Sequence, residues 1–126
     1  MEIPEGLELR ESPIHGLGIF ATRDFPNRHF FGAFKGIKYD WPDYIREFGR
    51  DYHHTYRNRR TNTIISARHE RNFITYINDG RHNFQESRVN CVLKKGGCWA
   101  ARDIKAGEEL LLDYGRLYKW SASKIS

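Results

Sequence analysis

The most informative stretch of this chain is Gly-Glu-Glu-Leu-Leu-Leu-Asp-Tyr-Gly, residues 107–115. A turn at Ala106 and Gly107 leads into an apolar run, which predicts a last strand over residues 110–114. The run ends in Tyr114, which is followed directly by a glycine. Turns that lead into strands are common, so the run becomes informative only together with two earlier segments.

The second segment is Asn-Phe-Ile-Thr-Tyr-Ile-Asn, residues 72–78. An asparagine that follows apolar residues, as Asn78 does, can turn its amide inward and offer a donor and an acceptor to a polar ligand. An asparagine that caps a turn is the ordinary alternative when this segment is taken alone.

The remaining segment is Ile-His-Gly-Leu-Gly-Ile-Phe-Ala, residues 14–21. Gly16 and Gly18 have no Cβ, so the backbone between them can approach a ligand closely. The pattern lacks the third glycine and the following helix of a dinucleotide site. By itself it is also compatible with a plain turn.

Many short strands and little helix are predicted, so the fold class is mostly β. The helix is predicted over residues 39–48, with Pro42 near its first turn and Gly49 at its end. A helical turn is predicted within residues 70–76, and residues 79–88 form a polar loop. The strands are predicted at residues 7–10, 19–21, 30–34, 55–57, 62–66, 91–93 and 98–101, with a hairpin turn at 94–97.

Composition narrows the class of protein. The chain has 126 residues, which suits one domain with a modest core, and it contains no apolar run long enough to cross a membrane. Cys91 and Cys98 lack the spacing of a structural zinc site, and the six histidines are scattered, so no metal is expected. An intracellular location follows as the expectation.

The net charge of the chain is +5, and basic residues are concentrated in a few places. Such patches suit a polyanion, although a solvated surface is an equally good interpretation. The basic positions are Arg57, Arg59, Arg60, Arg68, Arg71, Lys94 and Lys95.

Taken together and in this order, the three segments resemble the motifs of the SET-domain lysine methyltransferases. Residues 14–24 resemble the opening glycine motif, residues 72–78 the Asn-x-x-Arg-Phe-Ile-Asn motif, and residues 102–115 the closing motif. The resemblance extends over about residues 8–118. Residues 31–36 and 72–78 are most similar to the PR-type branch, and a minimal free-standing domain also resembles small SET enzymes of viruses and microbes.

The resemblance implies a SET-domain fold of several small sheets with short helices and a C-terminal pseudoknot. One SET domain would cover residues 1–126, with a core of about 8–118 and a tail of 119–126. It also implies a site for S-adenosylmethionine, the methyl donor, with no metal. The cofactor-binding residues would be Gly16, Leu17, Gly18, Tyr76, Asn78, Asp79 and Trp120.

The resemblance further implies protein-lysine N-methyltransferase activity. Tyr114 would be the catalytic residue that orients the lysine amine, in a channel formed with Phe34 and Leu112. Leu112 stands where a tyrosine restricts other members to monomethylation, so at least dimethylation is expected. A histone tail is the expected substrate, with a nuclear location in that case.

The chain departs from the family pattern at four positions. Thr75 replaces an arginine, Asp79 replaces a histidine, Phe34 replaces a channel tyrosine, and Ala33 replaces a glutamate. The alternative function is therefore a catalytically weak SET-fold module that binds protein or nucleic acid. Contact with nucleosomal DNA through the basic patches and a homodimer are further expectations.

Overall fold

The computed structural model describes residues 1–51, 54–58, 60–80 and 88–113. Short strands dominate this part of the chain, which confirms the predicted mostly β fold. In chain order the elements are β1 Leu7–Glu11, β2 Leu17–Ala21, β3 Phe30–Ala33, β4 Ile37–Asp40, α1 Trp41–Phe48, β5 Thr55–Asn58, β6 Thr63–Ser66, a 3-10 helix Phe73–Tyr76, β7 Asn78–Asp79, β8 Cys91–Lys94, β9 Gly97–Ala100 and β10 Leu111–Leu112.

The strands form four small sheets. β1 and β2 make an antiparallel hairpin, β3-β9-β8 and β4-β6-β5 are three-stranded antiparallel sheets, and β7 pairs in parallel with β10. Small sheets of this kind can each bury only one face, so they are stable only when packed against one another.

The main core lies where the inner faces of these sheets meet. Ile19 of β2, Cys98 of β9 and Leu110 are completely buried there. A second, smaller cluster joins α1 to β4 and β6 through Tyr44 and Ile64. No helix in the described ranges has the length and apolar character needed to cross a membrane.

The helix begins two residues later than predicted. Tyr39 and Asp40 belong to β4, where they pair with Ile64 and Thr63. Asp40 keeps an extended backbone, with φ −69° and ψ 150°, immediately before the first turn that contains Pro42. Pairing with β6 therefore overrides the local helical pattern at residues 39 and 40. The predicted end is confirmed, since α1 is followed by Gly49.

The β8–β9 hairpin has a tighter turn than predicted. Only Lys95 and Gly96 connect the strands, and their φ values are 52° and 76°. Two central residues with positive φ match the twist of the flanking strands, which makes a two-residue turn favourable. Lys94 and Gly97 consequently pair with each other as the last residues of the ladder.

The C-terminal segment is held on both sides, as a pseudoknot requires. On one side the Gly80 N–H donates to the Leu112 carbonyl at 2.8 Å. On the other side the fully buried Asn90 accepts from the Leu111 N–H at 2.8 Å and donates to the Glu109 carbonyl at 2.8 Å. Because buried peptide groups need partners, Asn90 stabilises a segment that has no long sheet of its own.

Candidate functional site

The site is built around the glycine turn between β1 and β2. The Ser12 N–H donates to the Gly16 carbonyl at 2.7 Å, which closes the turn, and Gly16 has φ 47°. That left-handed conformation favours glycine. Gly18 leaves room for Glu109, because a Cβ at this position would overlap the Glu109 carboxylate, which would then have to move.

Asn78 connects this turn to the C-terminal segment. Its Nδ2 lies 3.0 Å from the His15 carbonyl, 3.2 Å from the Leu17 carbonyl and 2.9 Å from Glu109 Oε2. The Glu109 carboxylate also accepts from the Ser12 hydroxyl at 2.8 Å. The carboxylate thus holds both the turn and Asn78, and hydrogen bonds to a charged acceptor are the stronger kind.

Several polar groups at this turn have no partner among the described residues. The Asn78 Oδ1 accepts no hydrogen bond, and the backbone N–H groups of His15 and Gly16 donate none. A Cβ at Gly16 would meet no atom within 4 Å, so the space beside this turn is open, and one acceptor and two donors are available at the turn. Such an arrangement suits a ligand that carries both an ammonium and a carboxylate group.

Three apolar or aromatic side chains that could form a channel for the substrate lysine lie in the same core cluster. Phe34 and Tyr56 are 3% and 5% exposed, and their ring centroids are 5.8 Å apart. Leu112 belongs to the same cluster and is 2% exposed. Burial among such groups disfavours an ammonium relative to a neutral amine.

The 3-10 helix before Asn78 is held by polar contacts at both ends. Asn72 Oδ1 accepts from the Ile74 N–H at 3.0 Å and so caps the helix. Arg71 donates to the Thr75 hydroxyl at 3.0 Å and to its carbonyl at 2.7 Å. A guanidinium therefore lies beside position 75, although the arginine expected at this position is absent.

The guanidinium of Arg71 also stacks on Tyr76, 3.7 Å from the ring centroid. Tyr76, which was predicted to bind the cofactor, is the last residue of the 3-10 helix and lies two residues before Asn78. The stack on Tyr76 and the two hydrogen bonds to Thr75 together hold the Arg71 side chain beside the 3-10 helix. The planar guanidinium group loses little conformational freedom in making these contacts.

These contacts support the interpretation drawn from the motifs. A family model of the SET domain matches residues 16–115. The chain belongs to the SET-domain family. Members of this family are in general protein-lysine methyltransferases that use S-adenosylmethionine. A search of curated proteins finds no match.

The groups at the glycine turn fit S-adenosylmethionine, whose methionine moiety carries an ammonium and a carboxylate. Gly16, Leu17, Gly18 and Asn78, predicted from separate motifs, are brought together by the contacts of Asn78. Asp79 pairs with Leu112 through β7 and β10. Tyr114 and Trp120 lie outside the described residues, so their predicted roles stay predictions.

Sequence reasoning missed four residues of this SET domain. Glu109 lies inside the closing motif and Ser12 two residues before the opening one, but their contact across 97 positions of sequence has no local signal. Tyr56 is an aromatic residue between polar neighbours in a short strand, a pattern that could have suggested an inward-facing side chain. Arg71 precedes the second motif by one residue.

The two thiols of this SET domain are buried in the main core. Cys91 and Cys98 are unoxidised, and burial and the neighbouring Cys98 raise the pKa of the Cys91 thiol well above its usual range. Within residues 1–51, 54–58, 60–80 and 88–113, no group of three or more His, Cys, Asp or Glu side chains could hold a metal ion.

Proposed function

We propose that this SET domain is an S-adenosylmethionine-dependent protein-lysine N-methyltransferase that acts on histone lysines. The observation that carries the proposal is the junction at Asn78. One amide nitrogen contacts the glycine turn and Glu109, and its Oδ1 accepts nothing from the described residues. This geometry supports binding of the methionine moiety at the turn.

The chain's own residues would prepare the lysine for methylation. S-adenosylmethionine supplies an electrophilic methyl group that a neutral amine can accept directly. Neutralising a free lysine at pH 7 costs about 4–5 kcal/mol, because its pKa is near 10.4. A channel walled by Phe34, Tyr56 and Leu112 would lower that cost by excluding water from the ammonium. Tyr114, the predicted catalytic residue, would then orient the lone pair of the amine.

The charge of the surface bears on the choice of substrate. An open groove of about 870 Å³ runs between residues 1–4, the end of β3 and residues 69–73. Glu2 and Glu70 line it, and so do Lys35 and Arg71, so its charge is mixed. Because the chain as a whole is basic, attraction of a basic tail would depend on local carboxylates such as Glu70. A nuclear location belongs to this proposal.

The proposal is tested by incubating the purified chain with labelled S-adenosylmethionine and a mixture of core histones. We expect label on one histone, lost in Tyr114→Phe and retained in Tyr39→Phe, a control in the separate cluster around α1. Asn78→Ala should weaken cofactor binding measured by calorimetry, because the turn and the ammonium would both lose a partner.

The outcomes separate the candidate functions. Cofactor binding without transfer to histones would reject histones as substrates and leave the methyltransferase proposal with another protein. The absence of both methyl transfer and cofactor binding would reject the enzyme. That result would favour the alternative, a SET-fold module that binds protein or nucleic acid.

A further inference from the structure

The outer face of the β3-β9-β8 sheet presents aromatic and apolar side chains to solvent. Phe30, Trp99 and Val92 are cross-strand neighbours in one row of this sheet. Phe30 is 47% exposed and Val92 is 36% exposed, whereas the opposite face of the sheet belongs to the core. Clustered exposure of large apolar groups marks an interaction surface more often than isolated exposure does.

The two aromatic rings in this row are held in place. The Phe30 ring lies over Gly97, where a Cβ would come within 2.5 Å of it, and its centroid is 4.6 Å from that of Trp99. The Trp99 indole N–H donates to the Lys94 carbonyl at 3.3 Å. Rings that are already ordered lose little conformational entropy when another planar group stacks on them.

The sequence around this row carries only positive charge. Residues 27–38 and 88–102, which contain all three strands, include seven Lys or Arg and no Asp or Glu. Lys94 lies 5.4 Å from the Trp99 ring, and Lys95 forms the adjacent turn. Lys35 lies beside this turn, since the Phe34 N–H donates to the Gly96 carbonyl at 2.8 Å.

Three of these cations, Lys35, Lys94 and Lys95, form no ion pair within the described residues. Arg102, at the far end of β9, does pair with Glu108 at 3.3 Å. The uncompensated charge is therefore concentrated around the β8–β9 turn, next to the aromatic row. Phosphate groups are the natural partners of such a cluster.

We propose that this face, formed by Phe30, Trp99 and the lysines at positions 35, 94 and 95, binds single-stranded nucleic acid. Unpaired bases stack on Phe30 and Trp99, and the backbone phosphates contact the lysines. A duplex keeps its bases stacked on each other and cannot offer them to the rings. A second copy of the chain would bring the same positive charges together. The inference does not depend on the proposed methyltransferase activity.

The test measures fluorescence anisotropy of a labelled 12-nucleotide oligo(U) RNA, the matching oligo(dT) and a duplex of the same length, titrated with the full chain. We expect binding of the single strands in preference to the duplex, with affinity that falls as salt rises. Phe30→Ala should weaken single-strand binding by about 5- to 150-fold, the usual loss for one stacking residue.

Charge is tested by comparing two double reversals of equal size. Lys94→Glu with Lys95→Glu should weaken binding more than Arg50→Glu with Arg60→Glu, two exposed positions on other elements. Thermal melts check that each variant folds. The RNA and DNA arms decide which single strand binds better, and either preference supports the proposal.

Four results would overturn this proposal. Equal losses in both charge reversals would mean that net charge alone attracts the nucleic acid. Duplex binding as tight as single-strand binding, or no binding at low salt, would exclude the stacking surface. Sedimentation that shows a dimer dissociated by Phe30→Ala would mean that a second copy covers the face.

Discussion

Glu109 is expected to couple stability to cofactor binding, and Glu109→Ala tests this directly. The carboxylate accepts from the Ser12 hydroxyl at 2.8 Å and from the Asn78 amide at 2.9 Å. Removing it leaves the Ser12 hydroxyl without its acceptor in a half-buried place, whereas the Asn78 amide keeps the carbonyls of His15 and Leu17. It also releases the contact that excludes any side chain at Gly18.

The magnitude follows from these two bonds. A hydrogen bond to a charged group contributes about 1.5–3 kcal/mol, so two would contribute at most about 3–6 kcal/mol. Water can replace part of this at a half-buried site, which reduces the expected loss to about 2–3 kcal/mol. For a chain of 126 residues, 1 kcal/mol corresponds to about 4 °C in Tm, so Tm should fall by about 8–12 °C.

Glu108→Ala is the matched control, since it removes the same charge one position earlier. Glu108 pairs with Arg102 at 3.3 Å, with the two side chains 33% and 49% exposed, and it also accepts from the Lys105 N–H at 2.9 Å. Exposed pairs of this kind contribute about 0–1 kcal/mol. Thermal melts of both variants, with and without S-adenosylmethionine, measure stability, and calorimetry measures the Kd for the cofactor.

Glu109→Ala should also raise the Kd for the cofactor by about tenfold or more, because Ser12 and Asn78 would lose the carboxylate that joins them at the glycine turn. A tenfold change corresponds to about 1.4 kcal/mol. Glu109 has no such coupling role if Glu109→Ala melts within about 2 °C of Glu108→Ala and binds the cofactor equally well. A loss of stability with unchanged cofactor binding would reduce Glu109 to a structural role.

Three further predictions concern other parts of the domain. Asn90→Ala should destabilise the fold by about 2–4 kcal/mol in urea melts, since it leaves buried peptide groups of the C-terminal segment unpaired; a loss below about 1 kcal/mol would contradict this. Leu112→Tyr should lower the degree of lysine methylation in mass spectra, whereas Leu112→Phe, with similar bulk and no hydroxyl, separates overpacking from hydrogen bonding; unchanged products would reject the idea. Burial and the nearby Arg23 lower the pKa of His29, so the contribution of His29 to stability should be complete above about pH 6.5 and decline as the pH falls toward the lower folded pKa. His29→Phe should remove this part of the pH dependence of stability. An unchanged pH profile in that variant would exclude a role for His29.

Much of the fold was predictable because its signals are local. The glycine turn, the end of α1 at Gly49 and the β8–β9 hairpin each depend on residues within one short segment. The strands β4 and β7 were missed because they exist through pairing with distant strands. Tyr39 has a helical context, yet it pairs with Ile64.

The residues of the candidate site also fall into two groups, those predicted from local motifs and those revealed only by contacts between distant segments. The motifs predicted Gly16, Gly18 and Asn78 as site residues, and in the structure Asn78 bonds to the carbonyls of His15 and Leu17 in the same glycine turn. The role of Glu109 depends on a contact with Ser12 that spans almost the whole domain. No local pattern reports which carboxylate reaches the turn.

Motifs within short segments were enough to indicate the family, the mostly β class and the residue types at the glycine turn, because motifs preserve chemistry at short range. Which groups are already used within the domain and which are left for a ligand depends on contacts between distant segments. Hydrogen bonds and burial join residues far apart in the chain, so the partners of Asn78 and the uncompensated lysines beside Trp99 emerge only when the sheets are packed.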